Sequence, residues 1–92
     1  MRLEVDGETV GTVWVNTGES GGRPPWIFDI EVAEAFRGHG HGRSLMLVAE
    51  QVTHAAGRHR LGLNVHAGNA PAERLYASLG YRPYRWALGK PL

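Results

Sequence analysis

The segment Arg37-Gly38-His39-Gly40-His41-Gly42-Arg43 sets three glycines at alternate positions between two arginines, after an apolar run and just before a helical pattern. Glycine lets a backbone come close to a ligand, and the first N–H groups of a helix have no partner inside it. The positive end of the helix dipole adds to those donors, so the segment is built to hold an anion such as a phosphate or pyrophosphate. Two common phosphate loops fail on spacing. A Walker loop needs Gly-Lys before Ser or Thr, and Gly42-Arg43-Ser44 lacks the lysine. The dinucleotide fingerprint needs its third glycine where Arg43 stands. His39 and His41 share the turn, but no third ligand stands near them at metal-site spacing, and they read as outward-facing spacers.

Other reactive side chains are spread along the chain. Asp29 and Glu31 fall on one side of an otherwise apolar strand pattern, which suits either exposed surface acids or a pair of proton acceptors. Asn69 stands where it can cap a helix. Tyr76 lies inside that helix, where packing with the phenol at the surface is the simplest role. Arg58-His59-Arg60 is the densest basic cluster, placed where a helix should end and where cations are favourable.

These residues need elements to position them. Leu3-Glu4-Val5, the pair Asp6-Gly7 and Thr9 to Val15 form a β-hairpin pattern, with Val13 and Val15 on one face and Thr12 and Trp14 on the other. Asn16 to Pro25 is a glycine- and proline-rich loop. Trp26 to Val32 is a third strand, whose alternation puts Phe28, Ile30 and Val32 on one side and Ile27, Asp29 and Glu31 on the other. A helix is expected from about Ser44 to Ala56, with Leu45, Val48, Ala49, Val52 and Ala56 as its apolar stripe and Gly57 as its C′ residue. Arg60 to His66 alternates again and should lie parallel to the third strand, because a helix separates them. A second helix runs from Ala70 or Pro71 to Leu79, closed by Gly80. Tyr81 to Leu88 can form a last strand, interrupted at Pro83. The fold class is therefore α/β (α+β), a mixed, mainly antiparallel sheet with two helices in the order β-β-β-α-β-α-β.

Length and composition bound the rest. Ninety-two residues allow one domain, residues 1–92, with an economical core. The absence of cysteine excludes a disulfide scaffold, a thiolate metal site and a cysteine nucleophile. A net charge of +1, with nine arginines and one lysine scattered among nine acids, gives no nucleic-acid tail. No apolar run approaches the roughly 20 residues that span a bilayer, so neither nucleic acid nor membrane is an expected partner, and the expected location is the cytoplasm.

The glycine turn resembles the acyl-CoA loop of the GNAT superfamily of N-acetyltransferases, whose pattern is Gln or Arg, two residues, Gly, one residue, then Gly or Ala. Arg37, Gly40 and Gly42 match it, with Val32 five residues earlier at the strand end. Leu61-Gly62-Leu63-Asn64-Val65, then Asn69, Ala72, Leu75-Tyr76 and Leu79-Gly80-Tyr81, are similar to the family's second signature, and Lys90-Pro91-Leu92 resembles many members' endings. The resemblance implies a GNAT-like fold that moves an acetyl group from acetyl-CoA, with no metal, to an amine by direct attack. It implies that N–H groups of Gly38, His39, Gly40, His41, Gly42 and Arg43 cradle the CoA pyrophosphate, with charge added by Arg37 and Arg43. Backbone groups of Ile30 and Val32 would pair with the pantetheine arm. It implies a cofactor contact for Asn69, a capping role remaining open beside it. It gives Tyr76 the part of general acid that protonates the departing thiolate. The incoming ammonium must also lose a proton, and Glu31, nearer the strand end than Asp29, is the better candidate base.

The chain departs from the family at its front, where members usually carry another strand and two helices that build much of the acceptor site. Read so, it is a minimal or C-terminal version, and the alternative function is a CoA-binding half-domain without independent turnover. The uncovered sheet, with Trp14, Trp26 and Trp86 in so short a chain, leads to the expectation of a homodimer that rebuilds the acceptor wall. A monomer closed by the loop from Gly18 to Pro25 is the competing arrangement.

Overall fold

The computed structural model describes residues 2–5, 7–18, 24–66, 68–85 and 87–92. Trp86, Asp6 and most of the loop between Gly18 and Pro25 lie outside the described residues. Strands β1 (Arg2–Val5), β2 (Glu8–Asn16) and β3 (Trp26–Val32) pair antiparallel in chain order. Helix α1 (His41–Ala55) then leads to β4 (Gly62–Leu63), which pairs parallel to β3, and helix α2 (Ala70–Ser78) follows. The four strands form one sheet in the order β1-β2-β3-β4, the mixed and mainly antiparallel arrangement expected. Val5 faces Glu8 across the hairpin turn, and Gly7 takes the positive φ of 81° that such a turn demands.

The β2–β3 ladder contains an irregularity that corrects the expected alternation. Trp14 faces Asp29 but Val15 faces Ile27, so Phe28 is an extra residue on β3, a β-bulge. The bulge reverses the sense of the pleat, so Ile27 is the buried member, at 4% exposure, and Phe28 is 67% exposed. Ile30 and Val32 pack against the core as expected.

Helix α1 lies on β2 and β3, and Val13, Ile27, Leu45, Met46 and Ala49 form the buried cluster beneath it. Each fully buried large aliphatic side chain contributes about 1.5–3 kcal/mol relative to exposure. The approach is close at Gly11, where an added Cβ would stand 2.8 Å from Leu45 Cδ1 and 2.7 Å from the Glu31 carbonyl oxygen. The buried stripe of α1 differs from the expected one by a small rotation. Met46 and Thr53 are buried, Val48 and Val52 only half so, and Ala56 is exposed beyond the last helical residue. Thr53 is admitted to the interior because its hydroxyl donates to the Ala49 carbonyl at 2.8 Å. The helix ends in a Schellman arrangement, with Gly57 N–H donating to His54 O and Arg58 N–H to Thr53 O, and Gly57 at φ 78°.

Helix α2 closes the same way at Gly80, φ 95°, where Tyr81 N–H donates to Tyr76 O at 3.0 Å. That cap bears on the last expected strand. No strand forms among the described residues of 81–88, because Tyr81 is spent on the α2 cap and Pro83 has no N–H to give a ladder. Strand β4 is also shorter than the expected Arg60 to His66, since its pairing stops at Ile27–Leu63. Among the described residues, no helix is long and apolar enough to cross a membrane.

Candidate active site

The glycine turn is partly helix. Gly40 is the N-cap, at φ 81°, and α1 begins at His41 rather than near Ser44. Only glycine adopts that φ without strain, and it lets the chain turn abruptly into the helix. Ser44 N–H donates to the Gly40 carbonyl at 3.2 Å and closes the first turn. The N–H groups just before it, from Gly40 to Arg43, are the ones an α-helix leaves without internal acceptors. An added Cβ at Gly38 or Gly40 would meet nothing within 4 Å, so both face open space. Gly42 has a different reason, since a Cβ there would stand 3.2 Å from Leu75 Cδ2 on α2 and 4.0 Å from Val32 Cγ2. The start of α1 is therefore wedged between the end of β3 and helix α2, which brings the two sequence motifs together.

The arginines flanking the turn are tied to the scaffold. Arg37 Nε donates to the Val32 carbonyl at 3.1 Å, anchoring the 3-10 turn Glu34–Phe36 to the strand end. Arg43 Nη2 donates to Ser78 Oγ at 2.7 Å, linking α1 to the last turn of α2. His39 is exposed, and its ring centroid lies 6.3 Å from that of His41, whose ring in turn packs T-shaped with Phe36 at a centroid distance of 6.2 Å.

Beside this turn β3 and β4 diverge. Ala33 N–H donates to Val10 O at 2.8 Å, which sets the phase of the ladder so that residues 33, 31 and 29 bond toward β2. Ile30 and Val32 therefore direct their backbone N–H and C=O toward the opposite edge, which β4 has already left. The bulge at Phe28 bends the strand at the place where the two part. The result is an open groove of about 240 Å³, lined among others by Phe28, Asp29, Ile30, Asn64, His66 and Tyr76.

Tyr76 comes to this groove from α2, half-buried, its ring edge-on to that of Tyr81 with the centroids 6.3 Å apart. Burial raises the pKa of its phenol, so the group keeps its proton through neutral pH. Asn69 lies in the lining and also caps α2, its Oδ1 accepting from Ala72 N–H at 3.4 Å. Asp29 lines the groove, whereas Glu31 sits two residues on, exposed and paired with Thr12, outside the described lining. Asn64, which belongs to the second signature but carries no expected site role, and His66, which the sequence does not single out, also line it. Their signal is positional: they follow the carboxyl end of a parallel strand, where ligands gather in α/β sheets. Among the described residues no group of three His, Asp or Glu gathers to hold a metal ion.

Comparison with known proteins agrees with this architecture. The chain is 27% identical over 86 residues to the uncharacterized N-acetyltransferase YycN of Bacillus subtilis, covering 92% of this chain and 55% of that protein. The solved structure of a provisionally assigned acetyl transferase from Pyrococcus furiosus superposes with a TM-score of 0.82 at 30% identity, over 98% of this chain and 62% of that one. The fold alone is shared with AAC(6')-Iy, solved in complex with the bisubstrate analog CoA-S-monomethyl-acetylneamine, with a TM-score of 0.77 at 17% identity over 99% of this chain and 66% of that one. The chain spans little more than half the length of the curated relative it matches. The model of the acetyltransferase (GNAT) family matches residues 1–81, and the chain belongs to that family.

Proposed function

We propose that the protein transfers an acetyl group from acetyl-CoA to an amine by direct attack, with Tyr76 as general acid. The observation that carries this reading is the groove between the diverging β3 and β4, which gathers Asp29 and the protonated Tyr76 in one lining beside the start of α1. The outward backbone edge of β3, open at Ile30 while the Val32 carbonyl accepts from Arg37 Nε, is suited to an extended amide-bearing arm, which would join as an added strand. The N–H groups of Gly40 to Arg43 are suited to the pyrophosphate, as is the open space at Gly38 and Gly40.

In that reading the acceptor's ammonium first gives up a proton to a strand carboxylate, which leaves the neutral amine to attack. Asp29, in the groove lining, favours short-range transfer, and Glu31 would act through water. The amine nitrogen then bonds to the thioester carbon, the carbon–sulfur bond breaks, the Tyr76 phenol protonates the departing thiolate, and the surplus proton on nitrogen restores the phenol. A second reading, a CoA-binding unit whose acceptor wall comes from elsewhere, is favoured by the exposure of Phe28 in the groove lining and of Trp14 opposite Asp29. Assay of product against a panel of amines separates the two.

Tyr76→Phe tests the chemistry. It removes one hydroxyl and little volume, so folding and acetyl-CoA affinity should hold while turnover falls about 10²-fold. Equal turnover in both forms would return Tyr76 to a packing role.

A further inference from the structure

The side chains of His39 and His41 have no part in that reaction so far. They flank Gly40 on either side, between Arg37 and Arg43, with ring centroids 6.3 Å apart. His41 opens α1, half-buried against Phe36, whereas His39 is exposed. Outward-facing spacers are the simplest account of both. Covalent reach argues for more. An imidazole nitrogen lies no farther than about 6 Å from the backbone nitrogen of its own residue. An anion held by an N–H group stands about 3 Å beyond that nitrogen. In any rotamer, therefore, either ring stays within about 10 Å of a pyrophosphate bound to the Gly40 and His41 N–H groups, which is one Debye length at 0.1 M salt.

Histidine is the side chain whose ordinary titration changes its charge between pH 5 and 8. The other charged residues on the elements around the turn are Arg37 and Arg43, Glu34 of the 3-10 turn, Glu31 of β3, and Glu73 and Arg74 of α2. Ordinary guanidinium and carboxylate groups hold a constant charge over most of that range. Arg37 and Arg43 are moreover tied to the Val32 carbonyl and to Ser78 Oγ. In the free chain the helix dipole and the two arginines oppose another positive charge at the turn, and a bound anion offsets that opposition. We propose, on the acetyl-CoA reading above, that the imidazoles of His39 and His41 are further cosubstrate-binding groups, which take up protons when the pyrophosphate binds. Linkage is reciprocal, so affinity rises as the pH falls through the histidine range, is fully gained below it and is lost above it. Two imidazolium charges facing the two charges of a pyrophosphate diester at this distance correspond to roughly three- to tenfold in Kd.

The test is calorimetric titration of the whole chain with acetyl-dephospho-CoA at constant ionic strength, at about pH 8 and about pH 5.5, either side of the histidine range. That probe keeps the pyrophosphate and lacks the phosphomonoester, which would itself titrate near pH 6. The expected result is a Kd roughly three- to tenfold lower at the acid end. Net proton uptake between the two pH values, read from buffers of different ionisation enthalpy, should accompany it. The double variant His39→Gln, His41→Gln should bring the ratio of the two Kd values below about twofold. His39→Gln alone, at an exposed position, serves if the double variant does not fold, and should shrink the ratio in part. His54, His59 and His66 are kept in both variants, so a ratio that they caused would survive. Equal Kd values at both ends of the range, or an undiminished ratio in the folded variants, would overturn the proposal and leave the acetyl-CoA reading standing. Absence of binding at every pH would overturn both.

Discussion

Replacing Gly40 by alanine separates the two duties of the turn, starting a helix and meeting a ligand. Gly40 holds φ 81°, where an L side chain costs about 1–2 kcal/mol. An alanine stiffens the unfolded chain as well, but at an incompatible φ that gain does not cancel the strain. For a domain of this size each kcal/mol lowers the melting temperature by roughly 4–8 °C. An added Cβ meets nothing within 4 Å, so no packing penalty is due. Gly57 is the matched control, at φ 78°, equally open, and at the other end of the same helix. Both variants should therefore lose similar stability. Only Gly40→Ala should lose acetyl-CoA affinity, because its Cβ stands where the backbone would approach the pyrophosphate. Loss of one charge-assisted hydrogen bond, about 1.5–3 kcal/mol, corresponds to roughly tenfold to a hundredfold in Kd. Gly40→Val should be worse on both counts, since a β-branched residue is poorly tolerated at positive φ. Thermal unfolding measures the first effect, and calorimetric titration with acetyl-CoA the second. A folded Gly40→Val variant that binds acetyl-CoA with unchanged affinity would refute the assignment of the turn.

Two further outcomes are expected. Gly62→Ala should destabilise the chain by about 1–3 kcal/mol and shift its tryptophan emission, because an added Cβ would fall 2.4 Å from Trp26 Cζ3; unchanged melting and emission would contradict that packing. Sedimentation at micromolar concentration should reveal a dimer that covers the exposed Trp14 and Phe28, and a monomer at every concentration would exclude it.

Most of the elements were legible because their signals are local. The Gly7 turn, the α1 stop at Gly57 and the Pro71–Gly80 frame of α2 each depend on φ preferences or capping that a few adjacent residues fix. The parallel sense of β4 followed from the helix between the strands. The exact face of α1 was less legible, since Thr53 is polar by type and enters the interior only through its bond to Ala49. The expected final strand does not form among the described residues, because Tyr81 satisfies both an alternating pattern and a helix cap, and the cap uses its N–H. In the candidate site, Tyr76, Asn69 and Asp29 were visible as residue types, while Asn64 and His66 depended on where β4 stops pairing.

That stopping point and the misassigned face of Phe28 have one origin. Strict alternation from Trp26 to Val32 would bury Phe28 and expose Ile27, and it would leave β3 straight beside β4. The bulge inserts one residue opposite β2, and a strand so bulged bends and twists more strongly. Ile27 then turns into the core, next to the last β3–β4 pair. Phe28, Asp29 and Ile30 are carried away from β4 into the wall of the groove. Nothing in the apolar pattern of β3 announces this, because Phe28 and Ile27 are both good core residues and differ only in which the register buries. The bulge thus breaks the local rule at the place where the site requires an open strand edge, and its cost is an exposed aromatic ring beside the groove.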